Sequence, residues 1–201
     1  YGDTITGSYP LDARISRDYF DEGTVDIVGT TVNKPSLVAL KNTLNYYRYL
    51  SENYAYESTT RGTGWNKGQQ DLSLISIPSI FYGSSIKKGT MSLKFYITGT
   101  LAAECRDIRR NGELVQTGPV GSNGSGSVAG VVLYNEGFVL LTGSWNISGH
   151  QEDYVVGGSN DNAKWIYFAT TGSYPSHNVP SSSFDMSFQG TNYVPVMTML
   201  A

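Results

Sequence analysis

Eight carboxylates carry the most open chemistry in this chain: Glu104, Asp107, Glu113, Glu136, Glu152, Asp153, Asp161 and Asp185. Glycoside hydrolysis needs two such groups on either side of a sugar, and folding can bring any two together. Glu113 and Glu136, however, fall in expected hairpin turns, where a solvated charge is ordinary. His150 and His177 are the only histidines. A serine hydrolase needs a base between a nucleophile and an orienting acid, and no G-x-S-x-G elbow accompanies either one. Two histidines are too few for a His-rich metal site. Asp18, Asp21, Glu22 and Asp26 crowd together in DYFDEGTVD. That string lacks the regular alternate spacing of oxygens that a calcium loop sets around the glycine in its bend, so it reads as a solvated acidic turn. Gly118 to Gly130, GPVGSNGSGSVAG, has the glycines of a phosphate loop. It has no Lys-Ser/Thr ending and leads into a strand, so it reads as an adaptable contact loop. No cofactor is expected.

Aromatic residues point to binding. The chain has 15 tyrosines and three tryptophans. Trp165, in KWIYFAT, reads as a core strand residue. Trp65, in a Gly-rich loop, is the better candidate for an exposed ring, and Trp145 completes the set from which a sugar platform would be built. Tyr46, Tyr47, Tyr49, Tyr54 and Tyr56 cluster at the end of an expected helix. The residues expected to touch partners are Tyr46, Tyr49, Tyr54, Trp65, Gly121, Asn123 and Gly124. Asn123 and Asn146 also begin N-x-S sequons, which matter only in a glycosylating secretory pathway.

Composition narrows the classes. Charged residues make up 15% of the 201, well below the usual quarter, and net charge is −3. No basic stripe is present to neutralise phosphates, so nucleic acid is not an expected partner. No apolar run approaches a membrane span, so no membrane is expected either. Cys105 is the one cysteine, which excludes an internal disulfide and reads as a small buried strand residue. A surface of Tyr, Ser, Thr, Asn and Gly suits contact with other proteins.

The elements that must position these groups are mostly strands. Met91, Leu93, Phe95 and Ile97 alternate with Ser92, Lys94, Tyr96 and Thr98, the period of a strand with one buried face. Leu72 to Tyr82 is also strand-like, and a Gly/Ser/Lys turn joins the two. Pro78 places that first run at an edge or bulge. Further strands are expected at Leu101–Arg106, Val131–Tyr134, Phe138–Thr142, Lys164–Thr170, Phe184–Gln189 and Tyr193–Leu200. Asn111-Gly112 and Asn135-Glu136-Gly137 read as hairpin turns. Pro35 to Asn53 is the one clear helix, with Leu37, Leu40, Leu44, Tyr47, Leu50 and Tyr54 on one stripe. Pro35 suits its first turn, and Asn33 or Ser36 its cap. The stripe predicts a helix laid across the open side of a sheet. The expected fold is mainly β, an antiparallel β-sandwich or jelly roll with one amphipathic helix near the N-terminus. Residues 1–70 read as an N-terminal arm and helix region, and 71–201 as the β-sandwich domain. TGSYP occurs at Thr6–Pro10 and Thr171–Pro175 with unlike flanks, a reused turn. The start at Tyr1 and the apolar ending YVPVMTMLA suggest a cut chain, or a strand completed in a partner.

Four strings resemble virion structural proteins of long-tailed bacteriophages, particularly marine phages related to T4-like viruses. They are ITGSYPLDARISRDYF, LVALKNTLNYYRYLS, LSLISIPSIFYGSSIKKGTMSLKFYITGTL and GSVAGVVLYNEGFVLLTGSW. The last two resemble a recurring pattern, I-P-S-x-F-Y-G-S-x-I-K-x-G followed later by a Y-x-x-G hairpin. The resemblance runs over most of the chain. It implies a tail, baseplate-wedge or neck component with no catalytic residues, located in the virion and assembled in the host cytoplasm. Its partners would be other virion proteins and copies of itself. The alternative is a carbohydrate- or receptor-binding module at a tail tip.

Overall fold

The computed structural model describes residues 6–8, 15–20, 34–60, 65–154, 161–170 and 181–193. It is mainly β. The strands are β1 (Thr6–Ser8), β2 (Ser16–Phe20), β3 (Leu72–Ser76), β4 (Ser85–Ile86), β5 (Ser92–Ile97), β6 (Thr100–Arg106), β7 (Glu113–Gly118), β8 (Val128–Leu133), β9 (Phe138–Leu141), β10 (Gln151–Glu152), β11 (Asp161–Asn162) and β12 (Ser182–Thr191). Among the described residues, ten of them form one antiparallel sheet in the order β1-β12-β5-β6-β7-β8-β9-β3-β2, with β4 also on β12. β10 and β11 make a separate hairpin. The large sheet is curled. Register shifts interrupt the β5–β6, β6–β7 and β7–β8 ladders, and each such bulge adds local bend and twist.

Both faces of the sheet bury apolar residues. Along β8, Val132 joins the larger core while Val131 and Leu133 face a smaller one. Along β9, Val139 and Leu141 face the larger core and Leu140 the smaller. The two-residue period thus splits consecutive apolar side chains between two layers. The alternation at Met91, Leu93, Phe95 and Ile97 is present, and all four are buried in the larger core. Cys105 is buried there too, and burial pushes its thiol pKa well up.

The smaller core exists because a helical segment covers β3, β8 and β9. It comprises α1 (Pro35–Ala39), α2 (Lys41–Tyr46) and a 3₁₀ turn at Tyr47–Tyr49. Leu37, Leu44 and Tyr54 are buried against Leu72, Leu74, Val131, Leu133 and Leu140. Pro35 occupies the first turn as expected. The cap is Lys34, without a side-chain cap bond; its ammonium instead donates to the Gln70 carbonyl at 2.9 Å. The expected single helix is broken at Leu40, and regular helix ends at Tyr46. Beyond it the chain tightens into 3₁₀ turns, a common way for a helix to finish.

Other expectations need correction. The runs Leu72–Tyr82 and Thr90–Thr98 do not pair with each other: β3 lies between β2 and β9, and β5 between β12 and β6. Pro78 ends the first run, and Ser79–Phe81 forms a 3₁₀ turn. Trp165–Tyr167 is a buried 3₁₀ turn rather than a strand, because these aromatics fill the larger core as a plug. The β6–β7 connection runs from Asp107 to Gly112, so Asn111-Gly112 is only its final part. The Asn135-Glu136-Gly137 turn does join β8 to β9, with Leu133 opposite Phe138. Strands from before and after residue 70 share one sheet. Residues 194–201, 21–33, 61–64 and 171–180 lie outside the described residues. They include most of the segment expected to be a C-terminal strand, the acidic residues from Asp21 to Asp26, His177 and the second TGSYP.

Candidate functional site: a tyrosine-walled cationic cleft

A cleft of about 520 Å³ opens where the helical segment meets the loops after β4 and β6. Tyr47, Tyr49 and Leu50 form one wall, Tyr134 and Asn135 another, and Lys87, Lys88 and Arg110 bring three cations to it. Tyr193, just past β12, stands at its edge with its ring largely exposed. The floor is Tyr54, whose hydroxyl donates to the Val132 carbonyl at 2.5 Å. Burial pushes the Tyr54 and Tyr134 phenols far above their ordinary range, so both stay neutral.

One buried carboxylate assembles this corner. Asp107 is fully buried. It accepts from the Gly89 N–H at 2.6 Å, the Met91 N–H at 3.0 Å and the Tyr134 hydroxyl at 2.8 Å. Burial raises its pKa, while these three bonds pull it back down. The loop holding Lys87 and Lys88 is thereby tied to the loop holding Arg110. Arg110 has a left-handed backbone, φ 55°, which a non-glycine residue adopts only at a cost. A Cβ on Gly89 would lie 2.9 Å from the Arg110 Nε, so the missing side chain there makes room for the guanidinium.

Charge pairing separates neighbours in this loop. Arg109 pairs with Glu113 at 2.6 Å. Burial alone would raise the Glu113 pKa, but hydrogen bonds from Ser51, Arg109, Asn53 and Asn111 hold it down at about 2. Lys41 pairs with Glu57 and Arg48 with Glu52. Among the described residues, Lys87, Lys88 and Arg110 have no carboxylate partner; Lys88 only lies over the Tyr134 ring at 5.7 Å.

The expected contact residues are scattered. Tyr46 and Tyr49 are 70% and 74% exposed and meet edge to face at 6.0 Å, but Tyr46 stands outside the cleft. Tyr54 is 1% exposed and packs in the smaller core, so it reaches the surface only as the floor of the cleft. Trp65 is half-buried. Its N–H donates to the Ala55 carbonyl at 3.0 Å, and the buried Lys67 ammonium lies 4.6 Å from its ring. It is therefore less open than expected of a sugar platform.

The Gly-rich loop is largely exposed but anchored at its base. Buried Gln116 accepts from both Trp145 and Trp165 N–H groups, at 2.9 and 2.8 Å. Its amide donates to Ser122 Oγ and the Asn123 carbonyl. Asn123 donates to the Asn146 carbonyl at 2.6 Å. Gly124 has φ 81°, and a Cβ there would lie 1.9 Å from the Trp145 Nε1, so the indole occupies the space a side chain would need. Gly121 is exposed, with open space around it.

The carboxylates expected to be open to catalysis are mostly engaged within the fold, although one oxygen each of Glu136 and Glu152 is buried without a hydrogen-bond partner. Ser92 donates to Glu104, and Tyr47 to Glu136. Glu104 and Asp185 lie across from Lys94 on the two neighbouring strands. His150 does meet a serine and an acid: its Nε2 is 2.6 Å from Ser181 Oγ and 3.1 Å from Glu152 Oε1. Ser181 also donates to that same carboxylate oxygen. Both partners use one ring nitrogen, so Glu152 does not orient the imidazole towards the serine as a triad acid does. The cluster ties the β10–β11 hairpin to the start of β12. Among the described residues, no three His, Cys, Asp or Glu side chains are placed to hold a metal, and no helix is long and apolar enough to cross a membrane.

Sequence reasoning missed the cleft. Lys87, Lys88 and Arg110 sit in two separate turns, and Asp107 entered only as one acid among eight. The signal that pointed to it was local: Lys87-Lys88-Gly89 is a doubled charge in a chain poor in charge. Comparison with protein families, curated proteins and solved structures finds no match for this chain.

Proposed function

We propose that this chain is a structural component of a bacteriophage virion, in the tail, baseplate or neck, and acts through protein–protein assembly contacts. The observation that carries the reading is the exposed pair Tyr46 and Tyr49 on a helical segment whose opposite side is anchored in the smaller core. Two rings held edge to face on a fixed support present apolar area with little entropy left to lose on docking. The four strings that resemble phage virion proteins supply the particle context. With it goes the expectation that the curled sheet closes on itself as a β-sandwich or jelly roll, and that the chain assembles in the host cytoplasm beside copies of itself. The test is the Tyr46→Asp/Tyr49→Asp double variant. Near-native circular dichroism with loss of self-association in sedimentation velocity, and loss of incorporation into particles, is the expected result. Unchanged incorporation with the fold intact overturns the reading.

A second reading, a carbohydrate- or receptor-binding module at a tail tip, is favoured by the tyrosine-walled cleft. Its walls combine exposed aromatic rings with polar side chains, the usual make-up of a saccharide site.

A further inference from the structure

We infer that the cleft binds an acidic saccharide, with its carboxylate or sulfate on Lys87, Lys88 and Arg110 and a ring face on tyrosine. The inference rests on the second reading above and names the ligand class for that same site.

Three observations carry it. The first is charge. In a chain of net charge −3, three cations that have no carboxylate partner among the described residues line one cavity. Other cations nearby are neutralised internally, Arg109 by Glu113 and Arg48 by Glu52. Two carboxylates, Asp107 and Glu136, hydrogen-bond to the lining tyrosines Tyr134 and Tyr47, but neither lines the cleft. Three lining cations against these two carboxylates leave an excess of positive charge, which suits an anion.

The second is construction. Arg110 keeps a backbone conformation that glycine would adopt at lower cost, beside a glycine that leaves its guanidinium room. Local strain of this kind, held in place by the fully buried Asp107, is the pattern of a positioned binding group.

The third is what the cleft lacks. Its backbone is already used: the Ile86 N–H donates to the Tyr134 carbonyl, the Lys87 N–H to the Gln189 carbonyl, and the Val132 carbonyl accepts from Tyr54. These groups are not open for an extended peptide to join as a further strand. Recognition falls to side chains: a ring-stacking tyrosine such as Tyr49, with the cations beside it. That combination matches a sugar ring carrying an anionic group better than an acidic peptide.

Titration calorimetry on the full chain tests this with four probes: digalacturonate, a chondroitin sulfate disaccharide, neutral digalactose and hexaglutamate. Binding of at least one acidic disaccharide is expected, at least tenfold tighter than digalactose and tighter than hexaglutamate. Preference between the two acidic probes tells carboxylate from sulfate. Arg110→Ala and Lys87→Ala/Lys88→Ala should each weaken binding tenfold or more, and Tyr49→Ala several-fold. Lys164→Ala, which removes the same charge outside the cleft, should leave it unchanged. Circular dichroism confirms the fold of each variant. Equal binding of hexaglutamate, or indifference to Arg110→Ala, overturns the inference. Tight digalactose binding overturns it too while leaving the carbohydrate reading standing. Binding of no saccharide overturns both.

Discussion

The Gly-rich loop and the cationic cleft are both polar, turn-built corners of the same sheet, yet they end in opposite states. In the loop, Gln116 uses its carbonyl oxygen for two indole N–H groups and its amide for Ser122 and Asn123. In the cleft, Lys87, Lys88 and Arg110 end without a carboxylate among the described residues. Buried polar groups are nearly always satisfied from within, and the loop obeys that rule. Groups left open at a cavity are satisfied from outside. The difference teaches that a Gly-rich composition does not by itself mean a loose loop. What counts is whether the polar groups have spent their bonds.

The strongest way to break this comparison is to remove the loop's organiser. Gln116→Leu leaves two indole N–H groups without acceptors, one of them on fully buried Trp165. Each unsatisfied buried donor costs about 1–3 kcal/mol, so a loss of about 3 kcal/mol is expected in urea unfolding. The loop should become cleavable by protease under native conditions, and cleft binding should persist. A loss under about 1 kcal/mol would mean that the loop holds itself without Gln116.

A middle-sized effect comes from the boundary between paired and unpaired cations. Glu113 has a folded pKa of about 2 against an ordinary value of 4.5. A depressed carboxylate contributes stability that is fully present above about pH 4.5. That contribution is lost as pH falls from there towards 2. The Arg109 partner is half exposed, which screens part of the effect, so about 1–2 kcal/mol is expected rather than the full linkage value. Glu113→Gln should flatten the stability profile between pH 4.5 and 2. An unchanged slope in acid unfolding would count against the network of Ser51, Asn53 and Arg109 around that carboxylate.

How far these features were legible beforehand follows the range of the forces involved. The period-two alternation in Met91–Ile97 and the stripe of Leu37, Leu44 and Tyr54 are local patterns, and both are present. The helix lies across the sheet as the stripe predicts, because Val131, Leu133 and Leu140 leave a second apolar face to cover. Strand partners were less legible. β3 and β5 follow one another in the chain, with no strand but the short β4 between them, but are not neighbours in the sheet, since pairing is set by long-range burial. Trp165 packs as expected, but in a 3₁₀ turn, where it meets Phe95 and Gln116 from distant strands as well as nearby Phe168. The cleft was the least legible, since Asp107 joins two loops that no spacing rule connects.

The smallest expected effect is the sharpest test of the comparison. Arg110 sits at φ 55°, a region where glycine is free of Cβ strain. If Arg110 is kept for binding, Arg110→Gly should relieve that strain while removing the guanidinium. Relief of a left-handed non-glycine residue is worth roughly 1 kcal/mol, partly offset by the greater freedom of glycine in the unfolded chain. The net expectation is a thermal midpoint unchanged or a degree or two higher, together with loss of the anionic ligand. Gln116→Gly, which removes the side chain that anchors the loop, should show no such trade, since its amide is bonded to Trp145, Trp165, Ser122 and Asn123 and its loss costs stability. A clear fall in the midpoint on Arg110→Gly would place Arg110 with Gln116, as a residue that holds the fold. A stable variant that no longer binds would place it with the groups whose partner comes from outside.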